Sequence, residues 1–188
     1  GARLQLVKDK GAAGANDDVN GLLQFIGDDA SQDQVTFSEI KSQVAVATNG
    51  QEGGKLTLSV AENDGTLTAG LVIQDGDADG ELDVTIGAGT SSLTTVAGDL
   101  AVNGDTTTFS SANTTDPVVI IKNTTNDANG ARLQLVKDKG AAGANDDVNG
   151  LVQFIGDDAN EDQVTFSEIK SQVAVATNGE EGGKLTLS

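Results

Sequence analysis

The sequence contains no histidine, cysteine, methionine, tryptophan or tyrosine, and it has a single proline. Without histidine and cysteine, most nucleophile–base pairs of covalent catalysis are unavailable, and neither disulfides nor thiolate metal sites can form. Carboxylates are abundant and can serve as acid and base, but none lies in an apolar run that would shift its pKa. We therefore expect no enzymatic activity and treat the acidic side chains as solvated surface groups.

Large side chains are also scarce, since aromatic residues make up 3% of the chain and all five are phenylalanine. Large side chains carry much of the burial in a protein core, so a layer built from Val, Leu, Ile and Ala is thin and marginally stable alone. We expect the chain to associate with other copies of itself, as a trimer, as a head-to-tail filament or as both. The missing methionine also leads us to expect that the chain is part of a longer protein.

Positive charge is the third deficit, because 11 basic residues face 29 acidic ones and the net charge is −18. A phosphate backbone is bound by clustered Lys and Arg, so we expect no nucleic-acid partner, and an anionic membrane surface is disfavoured for the same reason. No apolar run approaches the roughly 18 residues of a membrane-spanning helix. Such a charge favours solubility at high concentration, cation binding, or an environment in which salt screens self-repulsion.

What the chain does contain is a duplication. Residues 1–59 recur as residues 130–188, and the two copies differ at four positions: Leu23 is Val152, Ser31 is Asn160, Gln32 is Glu161 and Gln51 is Glu180. Repetition at a fixed period indicates an array, and copying benefits a filament more than a catalytic domain. We divide the chain into a first module (1–59), an acidic β-rich connector (60–129, with a lead-in strand at 118–122) and a second module (130–188).

Within the first module, alternating polar and apolar residues predict a strand at Arg3–Lys8, buried on one face. The apolar run between glycines at 21–27 predicts a well-buried strand. Residues 34–47 begin and end in strand phase, but the phase slips near Ile40, which predicts a bulge or a brief helical turn there. A helix over residues 37–46 is the competing interpretation.

Turn residues predict how the remaining strands pair. Asn49-Gly50 and the glycines that follow predict a hairpin between residues 44–48 and 55–60. In the connector, Asn103-Gly104 is the strongest hairpin signal. The connector strands that we predict are Leu71–Gln74, Leu82–Ile86, Leu93–Val96, Leu100–Val102, Thr106–Phe109 and Val118–Lys122. The fold class predicted is all-β: an elongated, fibre-like repeat of small β-sheet modules joined by short-stranded hairpin connectors.

One local motif suggests a metal ligand set. Asp75, Asp77, Asp79 and Asp83 occupy positions 1, 3, 5 and 9 of a calcium loop whose sixth residue is glycine. Position 12, which supplies a bidentate Glu in such loops, is Ile86, and no flanking helices are predicted. A helix-free calcium turn between two strands is therefore one hypothesis. The alternative, which the sequence favours slightly, is an acidic turn without metal.

Two sites fit the pattern for N-glycosylation, Asn113 and Asn123, each followed by two threonines. Matches of this kind arise easily by chance in a segment rich in Thr and Asn. They have meaning only if the protein is made in a eukaryote.

Several stretches resemble bacteriophage tail fibres, especially cyanophage-like structural proteins. The connector stretch 97–108 (AGDLAVNGDTTT) resembles segments of such fibres. The module, with GARLQL at 1–6, QFIG at 24–27 and EGGKL at 52–56, resembles a domain found beside these segments. The resemblance covers essentially the whole chain and implies an elongated, β-rich and usually trimeric fibre, located outside the cell or on the virion surface.

Our hypothesis is therefore a structural repeat of a long filament that assembles head to tail, with any cell-surface receptor bound at a distant tip. In that assembly, the strand at 118–122 lies on the sheet containing 132–137, and a neighbour's equivalent strand lies beside residues 3–8. The alternative is a calcium-dependent surface adhesin or receptor-binding module. An adhesin should present a pocket that differs between the copies, whereas a shaft should be uniform.

Overall fold

The computed structural model describes residues 1–89, 91–104, 106–112 and 115–188. They form two compact units, residues 1–103 and 104–188, and the secondary structure described in them consists of strands without any helix. The all-β prediction is confirmed, and the competing helix over 37–46 is wrong. The strands are β1 (Val19–Asp28), β2 (Gln34–Val46), β3 (Gly53–Ala61), β4 (Leu67–Asp75), β5 (Leu82–Ile86), β6 (Val148–Asp157), β7 (Gln163–Val175) and β8 (Gly182–Leu187).

The first unit holds a five-stranded antiparallel sheet in which every strand pairs with the next along the chain, in the order β1-β2-β3-β4-β5. The predicted hairpin between β2 and β3 is confirmed. In its turn the amide of Gln51 donates to the Thr48 carbonyl at 2.9 Å, and Gly50 has a φ of 80°, which glycine adopts without steric cost. The connector strands predicted at 71–74 and 82–86 are also formed, as parts of β4 and β5. The first structural unit therefore combines the first module with part of the connector.

The second unit repeats the first three strands as a sheet in the order β6-β7-β8. Its register is the same: Leu23 lies opposite Ile40 in the first sheet, and Val152 lies opposite Ile169 in the second. The same sequence therefore builds the same pairing twice, as expected where turn chemistry and alternation set the register locally.

The predicted irregularity in β2 is a bulge, and it lies three residues before the expected position. Phe25 pairs with Ser38 and Ile26 with Thr36, so Phe37 is the extra residue. Its ring covers Gly27, where an added Cβ would lie 3.3 Å from the ring edge. A glycine beside a bulged aromatic residue leaves room for the edge of the ring to approach the backbone.

Three further strand predictions near the module boundaries are wrong. No described strand includes Arg3–Lys8, its equivalent 132–137 or the lead-in segment 118–122. Leu6 instead packs on the face of β1, because its side chain lies 3.1 Å from where a Gly21 Cβ would be. The alternating pattern of this segment is thus used for packing a side chain on a sheet face rather than for pairing at a sheet edge.

In the rest of the connector, the strands predicted at 93–96, 100–102 and 106–109 are not formed in the residues that the structure describes. The hairpin predicted at Asn103-Gly104 is not formed in the described residues either, since the described segments on both sides of it are unpaired. Runs of three or four residues bury too little surface to hold a two-stranded ribbon together.

No apolar side chain of the described residues is buried, so the prediction of a well-buried strand at 21–27 is wrong. Phe25 and Ile26 are 51% and 55% exposed. The most buried side chains are polar: Glu39, Thr57 and Ser59, at the centre of the first sheet. Each sheet is a single layer, and a strand is buried on a face only when a second layer covers that face.

Candidate functional site

The acidic stretch 75–83 forms the turn between β4 and β5. Asp75 lies opposite Leu82, and Asp83 lies opposite Gln74, so these two aspartates project from opposite faces of the sheet. Asp77 and Asp79 lie in the turn itself. The described residues contain no group of three or more acidic side chains that could hold a metal ion. The structure therefore does not bring the four candidate calcium ligands together.

The turn is closed by groups of the protein itself. One carboxylate oxygen of Glu81 accepts hydrogen bonds from the amides of Asp77 and Ala78, at 3.0 and 3.1 Å. The Glu81 amide donates to the Ala78 carbonyl at 3.1 Å. The carboxylate of Asp75 lies against Gly53, where an added Cβ would clash with it. Calcium binding at this turn stays a prediction, and the residue that holds the turn, Glu81, was not among the predicted ligands.

Of the two glycosylation candidates, Asn113 lies outside the described residues. Asn123 is exposed, but its side chain is engaged in a local turn. Its amide nitrogen donates to the Asn129 carbonyl at 3.0 Å. Its oxygen accepts from the amide of Thr125 at 2.9 Å and from the Thr125 hydroxyl at 2.7 Å. The nitrogen that would carry a glycan is thus already hydrogen-bonded.

A lysine–aspartate cluster recurs in both copies and was not found from the sequence. Lys10 Nζ lies 2.5 Å from the Asp18 carboxylate, which also accepts the Ala15 amide at 2.8 Å. These hydrogen bonds, that of Lys10 first, lower the pKa of Asp18 below its ordinary value. Lys139 and Asp147 repeat the contact at 2.7 Å, and the pKa of Asp147 is lowered likewise. The signal that could have revealed it is a basic and an acidic residue eight positions apart, on either side of a Gly-rich loop.

The most buried carboxylate is that of Glu39, in the middle of the first sheet. Its oxygens lie 3.3 Å from Lys41 Nζ and 3.5 Å from Gln24 Nε2. In the second sheet the equivalent pair, Glu168 and Lys170, is 2.8 Å apart, and this hydrogen bond lowers the pKa of Glu168. In both pairs the two residues belong to the same strand. Their ion pair has a structural role on the polar side of the sheet.

A groove of about 510 Å³ lies at one end of the first sheet, between the strand ends and the segment that follows β5. Val60, Ile86 and Leu93 contribute its apolar lining, and Glu62 contributes a carboxylate. Paired carboxylates are what acid–base hydrolysis of a glycoside requires, and Glu62 has no second acidic side chain beside it among the described lining residues.

The two faces of the first sheet differ in chemistry. Side chains that lie opposite each other in the register share a face, and on one side most of these are aliphatic or aromatic, with Ser38, Ser42 and Thr68 among them. We call this side the apolar face and define it by its apolar side chains: Leu23, Phe25, Ile40, Leu56, Leu58, Val60, Leu71, Ile73, Leu82, Val84 and Ile86. The opposite side, which we call the polar face, includes Glu39, Lys41, Lys55, Thr57, Ser59 and Asp83, together with the apolar Leu22 and Val72.

No family model, curated protein or solved structure matches the chain. Within the described residues there is also no helix that is long and apolar enough to cross a membrane. Any statement about function therefore has to come from the chemistry and geometry of the two sheets.

Proposed function

We propose that this chain is a structural repeat of a long extracellular or virion-associated filament, similar to the shaft of a phage tail fibre, and that its function is self-assembly. The observation that carries the proposal is the surface area. The chain exposes 15400 Å², whereas two separate compact units with a combined mass of 19.0 kDa expose about 10,000 Å² by the usual scaling with mass.

Much of the exposed surface of the first sheet is apolar. Monomeric proteins rarely expose continuous apolar patches beyond a few hundred Å², yet β1, β2, β3 and β5 of the first sheet all contribute exposed apolar side chains, and those of β4 are half-buried. Burial of apolar surface is the dominant favourable contribution to folding and association. A chain that leaves this surface uncovered gains most of its stability when other chains cover it, which is the behaviour of a filament subunit.

The duplication supports a shaft rather than an adhesin. Both sheets have the same strand order and the same register over the repeated residues. Three of the four differences between the copies lie in turns, at Ser31, Gln32 and Gln51, and the fourth exchanges Leu23 for Val152. A receptor-binding surface would be expected to diverge between copies, whereas a shaft needs the same surface at regular intervals. Any receptor would then be bound at a distant tip.

The experiment is sedimentation velocity on the 188-residue chain at micromolar concentration, followed by negative-stain electron microscopy of the same samples. We expect trimers or larger assemblies in the centrifuge and filaments on the grid. A folded monomer that persists across the concentration range would contradict the proposal.

A further inference from the structure

The exposure of the first sheet is inverted with respect to its chemistry. Thr57 and Ser59, on the polar face of β3, are 6% exposed. Leu56, Leu58 and Val60, which alternate with them on the same strand, are 37%, 37% and 58% exposed. A sheet that functions alone in water does the opposite, covering its apolar side and hydrating the polar one.

The apolar face is continuous across all five strands, and the Leu6 side chain packs on it at Gly21 of β1. Leu23 lies opposite Ile40, Ile40 opposite Leu58 and Leu58 opposite Leu71, and Leu71 lies opposite Ile86. Leu71 and Ile73 are half-buried, and the other nine side chains of the face are 37% to 67% exposed. Together these nine present on the order of 800 Å² of surface, about what each partner contributes to a standard protein–protein interface.

Charge is kept off this face. The charged strand residues Glu39, Lys41, Lys55 and Asp83 belong to the polar face, and the two others, Asp28 and Asp75, lie at the ends of β1 and β4, with Asp75 at the margin of the apolar face. A strongly acidic chain would normally attract a basic partner, but the apolar face offers such a partner no complementary charge. Two acidic chains can approach through this face while most of their carboxylates stay in water at the turns.

A second copy of this chain carries a surface of matching chemistry. Its own five-stranded sheet has the same face, and its three-stranded sheet repeats the part contributed by the first three strands. The repeated side chains are Val152, Phe154, Ile169, Leu185 and Leu187, which are 38% to 72% exposed. Twisted sheets of this kind pack face to face at about 10 Å, with their apolar side chains interdigitated.

We propose that the apolar face is the assembly interface and that its occupant is an apolar sheet face of a second copy of this chain. This inference rests on the proposed function and adds to it the surface and the partner. The polar face then lies on the outside of the assembly.

The two faces can be tested on a single strand, because Val84 and Thr85 are neighbours in β5 that project to opposite sides. Both are exposed, so Val84→Glu and Thr85→Glu add the same charge at similar cost to the isolated chain. A carboxylate buried in an apolar interface is strongly disfavoured. We expect Val84→Glu to raise the apparent dissociation constant at least about tenfold and Thr85→Glu to change it less than about twofold, measured by sedimentation.

The identity of the occupant can be read from thiol labelling, because the chain has no cysteine of its own. In Val84→Cys the labelling rate should fall at least about tenfold when the concentration is raised until the chain assembles, since burial in an interface excludes the reagent. In Thr85→Cys the rate should stay within about twofold, because the polar face is still hydrated in the assembly. This measurement also covers the case in which Val84→Glu fails to fold.

Each outcome decides between the proposals. If the parent assembles but Val84→Glu assembles equally well, the apolar face is not the interface and only the filament proposal stands. If Val84→Cys is protected even in samples that sediment as monomer, its own chain covers the face, and the second copy is ruled out as occupant. If the parent stays monomeric, the proposed function fails, and this inference fails with it.

Discussion

At the scale of single residues, the turn between β1 and β2 holds Gln32 in the left-handed region, with a φ of 68°, and its counterpart Glu161 has a φ of 67°. Asp29 stabilises that turn by accepting the amides of Ser31 and Asp33 at 2.8 and 2.9 Å. The left-handed conformation costs an L-residue about 1–2 kcal/mol, and only glycine avoids this cost. Asp158 accepts the equivalent amides of Asn160 and Asp162 at 2.8 and 3.1 Å, so this strain is present in both copies.

We predict the stability order Gln32→Gly above the parent, and the parent above Gln32→Val. Glycine relieves the strain but loses more backbone entropy, so its gain should be at most about 1 kcal/mol. Valine, branched at Cβ, should lose about 1 kcal/mol or more. Urea unfolding at one fixed protein concentration measures the order, with Ser31→Gly as the control that should show no gain. A valine variant as stable as the parent would contradict the strain.

The Lys10–Asp18 contact predicts a pH dependence with a definite sign. The pKa of Asp18 is lowered below 3.8 in the folded chain, first by the Lys10 hydrogen bond and then by the Ala15 amide. The stabilisation is therefore fully present above about pH 4 and is lost as the pH falls through the lowered folded-state pKa. Carboxyl-detected NMR should show the Asp18 pKa returning toward its ordinary value in Lys10→Met. Lys41→Met, which removes a lysine that does not contact Asp18, should leave the pKa of Asp18 lowered.

At the scale of elements, β3 and β8 share the sequence GGKLTL but differ in their neighbours. β3 is bordered by β2 and β4, whereas β8 has only β7 beside it among the described strands. This difference explains why Leu56 is 37% exposed and its counterpart Leu185 is 68% exposed. An identical strand with a free edge should accept the same partner in the same register.

We predict that a second copy of residues 60–86, appended after Ser188, extends the second sheet from three strands to five. Hydrogen exchange should then slow at residues 184–187, because their free edge becomes paired. A flexible Gly/Ser tail of equal length is the control and should leave the exchange unchanged. Equal protection with both tails would mean that the register of the first sheet depends on more than the local sequence.

The turn between β4 and β5 allows capping to be separated from calcium binding. Removing the Glu81 carboxylate leaves the amides of Asp77 and Ala78 without their acceptor, so Glu81→Ala should lower the melting temperature by about 2–4 °C. A calcium site would show a different pattern: chelation lowers the melting temperature of the parent and has no effect on Asp77→Ala. Melting curves of the three proteins with and without chelator separate the two. If chelator leaves the melting curve of the parent unchanged, the turn binds no calcium, and only the Glu81 cap holds it.

The elements that could be predicted from sequence are those whose alternation is bounded by turn residues. This holds for β2, β3 and β5, where Gly-rich or acidic turns fix both ends of each run. Arg3–Lys8 and Val118–Lys122 alternate or are apolar in the same way, but pattern alone does not distinguish pairing at a sheet edge from packing of a side chain on a sheet face. Burial failed as a prediction at 21–27 because it depends on a second layer, which local sequence does not encode. The candidate calcium ligands do not come together because Asp75 and Asp83 project from opposite faces of the sheet.

At the scale of the whole molecule, the net charge of −18 opposes the association of identical chains. Salt screens exposed charges, with a Debye length of about 30 Å at 0.01 M and 10 Å at 0.1 M. We therefore predict that assembly strengthens as sodium chloride is raised, and again as the pH is lowered toward the isoelectric point near 4.1. Light scattering at constant protein concentration measures both trends. Weaker assembly in high salt would indicate that ion pairs, rather than apolar contacts, join the chains.

The lack of buried apolar side chains in the described part of the single chain has a calorimetric consequence. Apolar surface that is transferred from water lowers the heat capacity, and here that transfer occurs mainly when chains meet. The heat-capacity change should therefore appear in the heat of dilution of assembled material rather than in the unfolding of a separated chain. Hydrophobic contacts weaken on cooling. Filaments held together in this way should therefore disassemble on cooling and reassemble on warming to room temperature.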